Sequence, residues 1–594
     1  MCRVSGIISK KFPVQQLVQK VELMSYALKH GGPDDCGIYA DEKAGLVFGH
    51  RRLSIIDLSN NGHQPMADAN KKIWITFNGE IYNYQEIRWQ LTQLDVKFYT
   101  NSDTEVIISA YTTWGTSAFS MLRGIFAFAL FDSIKDVTYL VRDSMGIKPM
   151  YYHIKNESLS FASEVKAFKA AAITNETEKS WPVRFLAYGH IPEPYTTLKD
   201  VFSLKKGYYL QWEHRNNQHS IKPYTVKTPN LISDISIIKE CLRDTLITAV
   251  KRQLISDAPI GVFLSGGVDS SLITLLASEQ KDQDLKTISI YFNEKLYDER
   301  KYQKIIIDKI RGEKFECLVR QQDFESFFPK IISDMDMPTT DGINTWFISK
   351  YTREVGLKAV LSGLGADELF GGYPSFNRIK YIKYLRTLPP ALFNTADLFT
   401  SDKYKRISFL LNKHPLADYL FLRGLFIPEN IAKILDIDRK SVDDILFNSQ
   451  PVEYVGNYNE EHASWFETNL YMQNQLLRDT DVMSMCHGLE VRVPFLDEDF
   501  QQLASNIRPE IRFSKNHPKK LLIDSFIDIL PLEIWDRPKM GFSFPLQDWM
   551  RNHSGIFNES NFKGKIAQAL VKKFNTGHLH WSKVFALYQV QAHG

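Results

Sequence analysis

The chain has 594 residues, 44% hydrophobic and 24% charged, and Lys+Arg exceeds Asp+Glu by only 72 − 69 = 3. That is the balance of a globular protein of several domains, with no global field to recruit nucleic acid or an anionic membrane. The longest apolar run, near Gly124–Phe131, is far short of the ~20 residues of a membrane helix, the N-terminus has no apolar signal core, and Cys2, Cys36, Cys241, Cys317 and Cys486 are too scattered for a disulfide framework or a CxxC zinc site, so a cytoplasmic, reduced protein is expected.

The first unit, residues 1–211, carries short apolar or alternating runs: Gly45–Phe48, Ile73–Phe77, Ile125–Phe131 and Val137–Val141. Gly, Asn and Asp punctuate them, which predicts a strand-rich domain with a few helices, one of them after Ser102. Glu213–Pro229 is polar and aperiodic and reads as the junction. From residue 235 to 594 the pattern changes. Strands at Ile260–Leu264, Thr287–Phe292, Phe315–Val319 and Ala359–Leu361 alternate with helices at Val268–Glu279 and Glu299–Ile310. This alternation predicts a doubly wound parallel sheet. Beyond Tyr381 the chain reads as mostly helical, as at Trp465–Leu477.

Cys2 follows the initiator Met, and a small second residue permits Met removal. The exposed α-amine, of pKa about 8, could then serve the thiol as base. Downstream lie GHRRLSIIDLSNNGHQPM from Gly49, FNGEIYNY from Phe77 and NSDTEVI from Asn101. Asn78 and Gly79 read as a tight turn whose amide and N–H can donate to a tetrahedral oxyanion. Arg52 offers a fork for a carboxylate, and Glu80 and Asp103 can receive an ammonium. Singly these are turn residues and surface ion pairs. Together they suit a free amino acid such as glutamine, whose side-chain amide a thiolate attacks.

These motifs resemble the class II, N-terminal-nucleophile glutamine amidotransferase domain of glutamine-dependent asparagine synthetases, over the whole first unit. The resemblance implies an αββα sandwich, Cys2 as nucleophile, Asn78 and Gly79 as oxyanion hole, and Arg52, Asn78, Glu80 and Asp103 as the glutamine clamp. One departure stands out. Where the family usually has HRGPD, this chain has His30-Gly31-Gly32-Pro33-Asp34.

In the second unit, PIGVFLSGGVDSSLITLL from Pro259 places Ser265-Gly266-Gly267-Val268-Asp269-Ser270 between a strand and a helix. Glycines let the backbone approach phosphate, the helix N-terminus supplies N–H donors, and Asp269 can hold Mg²⁺. The GK[ST] ending of a Walker loop is absent. The loop resembles the PP-loop of ATP pyrophosphatases, which split ATP between the α and β phosphates and convert a carboxylate to an acyl-adenylate. A second loop, Leu361 to Tyr373, resembles the family's SGxGxDExFGGY. Further matches are Arg478-Asp479 through Met483-Ser484 and Leu489 through Asp497. By resemblance Asp367 is a second Mg²⁺ ligand, Ser362 and Gly363 line the nucleotide pocket, Lys519 meets the pyrophosphate, and Leu264 and Ile290 flank adenine. Glu368, Glu490 and Arg492 fall to the acceptor pocket.

The family's asparagine-forming members commonly carry Glu at the third position of that loop, where this chain has Leu364. Leucine cannot move a proton, so any base must come from elsewhere, for example Glu490. The expected function is a two-domain amidotransferase using glutamine, ATP and Mg²⁺, with ammonia passing between the sites through an interior channel. Aspartate is the leading acceptor. A uronic acid sugar of a surface polysaccharide or a peptide carboxyl is the alternative, and a degenerate scaffold is the reading from another class. Near-neutral charge disfavours an RNA-modifying PP-loop enzyme. No membrane is expected as a partner, and a homodimer is the assembly considered.

Overall fold

Strand Gly124–Asp132 is apolar on both faces, so it must be covered on both. A computed structural model shows how; it describes all residues except 1, 226–229, 282–283, 390–392, 394–401, 449–455, 515–516, 554 and 594, and not the side chains of 402–403. Two antiparallel six-stranded sheets face each other in the first unit. One centres on Arg3–Ile8, flanked by Leu46–Arg52 and Ser158–Ala162. The other centres on Gly124–Asp132, flanked by Ile73–Ile81 and Val137–Arg142. Val4, Phe48 and Phe161 from the first sheet interleave with Ala127, Leu140 and Trp212 from the second. Helix Val14–Ala27 covers the outer face of the first sheet through Leu17, Val21 and Met24. Helix Asp103–Trp114, capped by Ser102, covers the second through Val106, Ile107 and Tyr111. The result is an αββα sandwich.

The polar stretch expected as a junction contributes a strand. Gln218–Pro223 pairs antiparallel with Tyr208–Glu213, so the sheet runs past residue 211. Edge strands need only one paired side and often carry polar, charged residues, which hides them from apolar patterning. The next helix, Ile235–Gln253, begins at Asp234, whose carboxylate accepts the Ser236 (2.9 Å) and Ile237 (3.1 Å) N–H groups.

The second unit is built on a parallel sheet in the order Glu313–Leu318, Lys286–Tyr291, Ile260–Phe263, Ala359–Leu361, Glu490–Arg492. Helices Val268–Lys281 and Arg300–Ile307 follow their strands as expected. Trp465–Leu477, expected as one α-helix, is α-helical only to Phe466 and π-helical over Glu467–Leu477. The wider turn packs polar side chains inward: Asn474 Oδ1 accepts the Glu193 N–H (2.8 Å), and Gln475 meets His190 (3.3 Å) and Thr340 (3.2 Å). Sequence periodicity alone gives no sign of such a stretch.

Candidate active sites

Strand Arg3–Ile8 delivers Cys2 to one end of the sandwich, where its N–H donates to Asn78 Oδ1 (3.2 Å). Asn78 and Gly79 were expected at a turn; they stand inside strand Ile73–Ile81, opposite Ala127 and Phe126. The Asn78 amide nitrogen is buried and has no hydrogen-bond partner. An unused donor beside a thiol is what a developing oxyanion requires. Gly79 has φ +150°, and a Cβ there would lie 2.0 Å from the Ile125 carbonyl oxygen, so only glycine lets the strands close.

Burial pushes the Cys2 thiol up to about 11, while the Leu53 N–H and the Arg52 guanidinium pull the other way. Arg52 is itself held by the carbonyls of Ser59 (2.9 Å) and Asp57. Asp103 accepts the Ile81 N–H (2.9 Å), and burial pushes its carboxyl up to about 6. Burial, reinforced by Glu490 and Asp103, raises Glu80 well above the ordinary carboxylate range. Asn78 holds Cys2, Arg52 lies near the thiol, and Glu80 and Asp103 lie near each other, so the residues expected to handle glutamine cluster at one end of the sandwich.

A cavity of about 1290 Å³ opens beside the ends of the parallel strands. Ser265, Gly267, Asp269 and Ser270 line it from the first loop, and Ser362, Gly363, Leu364, Asp367 and Glu368 from the second. Gly266 turns away with φ +87°, its carbonyl accepting from Arg537 (2.9 Å). Lys519 Nζ donates to Asp269 Oδ2 (2.5 Å) and also touches Asp367. Its backbone is left-handed at φ +58°, strain of the kind that collects at functional sites. Lys539 reaches the other Asp367 oxygen (2.7 Å). Burial works against Asp367, but these two lysines hold it down to about 2.

Among the described residues no three His, Cys, Asp or Glu side chains converge into a metal cage. Asp269, however, keeps a buried carboxylate oxygen with no hydrogen-bond partner. A carboxylate with a free oxygen, next to a second carboxylate and a glycine-rich loop, fits Mg²⁺, which takes one or two carboxylates and completes its shell with phosphate and water.

Four expected residues stand elsewhere. Glu490 and Arg492 are fully buried at the contact between the units, where Arg492 pairs with Glu490, lies 3.8 Å from Glu80, and donates to the Gln253 and Ile255 carbonyls (2.7 Å each). Side chains alternate along a strand, so Val491 faces the cavity and its neighbours face away. The same parity puts Leu264 in the core while Phe263 lines the cavity. Ile290 is also core. Glu490 is held below the ordinary range: burial, the largest influence, raises it, and Arg492, the N-terminal ammonium and Lys148 together outweigh burial. It does not line the cavity, where a base for the acceptor is expected. Residues that patterning did not single out include Lys539, Arg423, Asp341 and Tyr188, all on the cavity wall. Only Lys539 has a cue, in the Pro-Lys-Met-Gly run next to Arg537.

An apolar cluster joins the two units beside the large cavity. Tyr82, Ile125, Met145 and Ile147 of the first unit pack with Leu489, Val491, Leu496 and Leu364 of the second.

Residues 1–225 match the glutamine amidotransferase domain and residues 241–571 match asparagine synthase. The chain belongs to the asparagine synthase family. Glutamine-hydrolyzing asparagine synthetase 1 of Bacillus subtilis (strain 168) is 32% identical, covering 93% of this chain and 88% of the relative. Putative asparagine synthetase 2 of Methanocaldococcus jannaschii is 35% identical over 66% and 79% of the two chains. Amidase chry2 of Gibberella zeae is 27% identical over 92% and 90%. As an asparagine synthase family member, the chain is a glutamine-hydrolysing amidotransferase ligase of a family that uses ATP and glutamine, with an N-terminal-nucleophile sandwich and a PP-loop domain. No helix among the described residues is long and apolar enough to cross a membrane.

Proposed function

We propose that the protein cleaves glutamine at Cys2, adenylates a carboxylate in the second cavity, and joins ammonia to it as an amide, with release of AMP and pyrophosphate. The observation that carries this reading is the shared apolar cluster. Ile125 and Tyr82, beside the Asn78–Glu80 strand, and Val491 and Leu364, on the cavity wall, belong to one packed group. Neutral ammonia crosses such a seam without the cost of burying a charge.

In this mechanism the Cys2 thiolate attacks the glutamine amide carbon. Asn78 and Gly79 donate to the oxyanion, and Arg52 with Glu80 and Asp103 holds the amino-acid head. Because burial disfavours the thiolate, attack needs a base at hand, and the α-amine freed by Met removal is next to the sulfur. Ammonia leaves, and water hydrolyses the thioester to glutamate. In the second cavity Ser265, Gly267 and Ser270 cradle the phosphates, and Lys519 meets the charge of the departing pyrophosphate. Mg²⁺ held by Asp269 and Asp367 would supply further neutralisation of that charge.

Aspartate is the first acceptor to test. Leu364 favours a second reading, amidation of a larger or less charged carboxylate, since it puts an apolar wall where the family commonly has an acid. Ammonium-driven pyrophosphate release across a panel of aspartate, uronic acids and peptides decides the acceptor. Asp269→Asn should lower that release by about 10²-fold or more and spare glutamine hydrolysis. Near-normal release would remove Asp269 from the reaction.

A further inference from the structure

Arg3 follows the nucleophile directly, and its guanidinium is fully buried. Nε donates to Glu164 Oε1 (2.7 Å) within the same unit, and Nη1 donates to Asp481 Oδ2 (2.7 Å) across the contact between the units. Lys148, also of the first unit, donates to the other Asp481 oxygen (2.8 Å). Asp481 is therefore gripped on both oxygens by the unit that carries Cys2. Glu164 is fixed in turn by His30 (2.8 Å) and Lys166 (2.6 Å).

Gly31 makes room for this arrangement. A Cβ at position 31 would lie 2.7 Å from Arg3 Cγ. Long side chains at both positions would collide, so the arginine that the resemblance leads one to expect at 31 is absent and a guanidinium enters from position 3 instead.

On the far side, Asp481 lies in helix Arg478–Met485. Asp479 and Thr480, its immediate predecessors, line the large cavity. From the cavity wall to the nucleophile the path is covalent except for one ion pair. Both partners are buried, so the pair is weakly screened and displacement of either is felt by the other.

We propose that Arg3 is the positioning residue through which occupancy of the second cavity sets the geometry of Cys2, so that glutamine cleavage responds to what the other site holds. The proposal rests on the nucleotide reading of that cavity. The test uses glutamate release with and without Mg²⁺ and α,β-methylene-ATP, whose α–β bridge cannot be cleaved, with binding of the analogue measured separately by calorimetry. In the native protein the analogue should change kcat/KM for glutamine about fivefold, an ordinary allosteric coupling. In Arg3→Met and Asp481→Asn the response should fall below about 1.5-fold, with analogue affinity and ammonium-driven pyrophosphate release within about twofold of native. Arg3→Lys, which keeps the charge but cannot span both acids, should respond in between. Should Arg3→Met fail to fold, Asp481→Asn, equal in size, carries the comparison. Variants that bind the analogue and respond as the native protein does would overturn the proposal, as would a native protein that binds it without response. Failure to bind the analogue would instead overturn the nucleotide reading beneath it.

Discussion

Asn78 shows how much one side chain can decide. Its Oδ1 fixes the Cys2 backbone and leaves the amide nitrogen free for substrate. Asn78→Ala removes one oxyanion donor and should lower kcat with glutamine by about 10²–10³-fold, while ammonium-driven turnover persists. Parallel glutaminase and ammonium-driven assays check this, and equal losses would place Asn78 in a structural role. Leu364 lies both on the cavity wall and within the apolar cluster. Leu364→Glu should raise turnover with aspartate if that wall touches the acceptor, and should only destabilise if cluster packing dominates. Aspartate kinetics with melting curves separate the two outcomes. The motifs were legible because each is a short local string: Cys2, Asn78-Gly79 and the SGGVDS loop are recognisable without the distant partners that hold them. Glu490, Arg492, Leu264 and Ile290 were not, because a motif match fixes position along a strand without saying which face each side chain takes.

At the scale of elements, strand Glu490–Arg492 does two jobs. Val491 faces the cavity, and Arg492 sits between Glu490 and Glu80 with its own carbonyl accepting the Ser362 N–H (2.8 Å). Replacing a buried cation leaves its acids uncompensated at about 3–5 kcal/mol. Arg492→Met should therefore cost that much in urea unfolding and raise KM for glutamine by freeing Glu80 to move. A loss of stability with unchanged KM would confine Arg492 to the scaffold. The α/β alternation was read correctly because buried parallel strands are short apolar runs between amphipathic helices. Two elements were missed for opposite reasons. The Gln218–Pro223 strand is too polar to show, and the π-helical stretch Glu467–Leu477 has the apolar spacing of an ordinary helix.

For the whole molecule, burial has a pH signature. His190 is fully buried, and burial, with Arg478 nearby, lowers it from 6.5 to about 3; His462 falls to about 4 for the same reason. The unfolded chain takes up these protons first as pH falls below 6.5, so stability is lost across the window from there to the folded values. The loss is about 1.4 kcal/mol per pH unit for each group. Buried carboxyls held high, such as Asp103 near 6 and Asp479 near 7, work in the opposite direction over this range, so the test is a difference: from pH 7 to pH 5 the Tm of His190→Gln should fall less than that of the native protein, and equal changes would remove His190 from the pH dependence.

The proposed function requires one chain to make ammonia at Cys2 and consume it in the second cavity. Cys2→Ala tests it most directly. Pyrophosphate release is measured with glutamine and, separately, with ammonium as nitrogen donor. The glutamine-driven reaction should disappear and the ammonium-driven reaction should stay near the native rate. Loss of both in a folded variant, or survival of the glutamine-driven reaction, would contradict it.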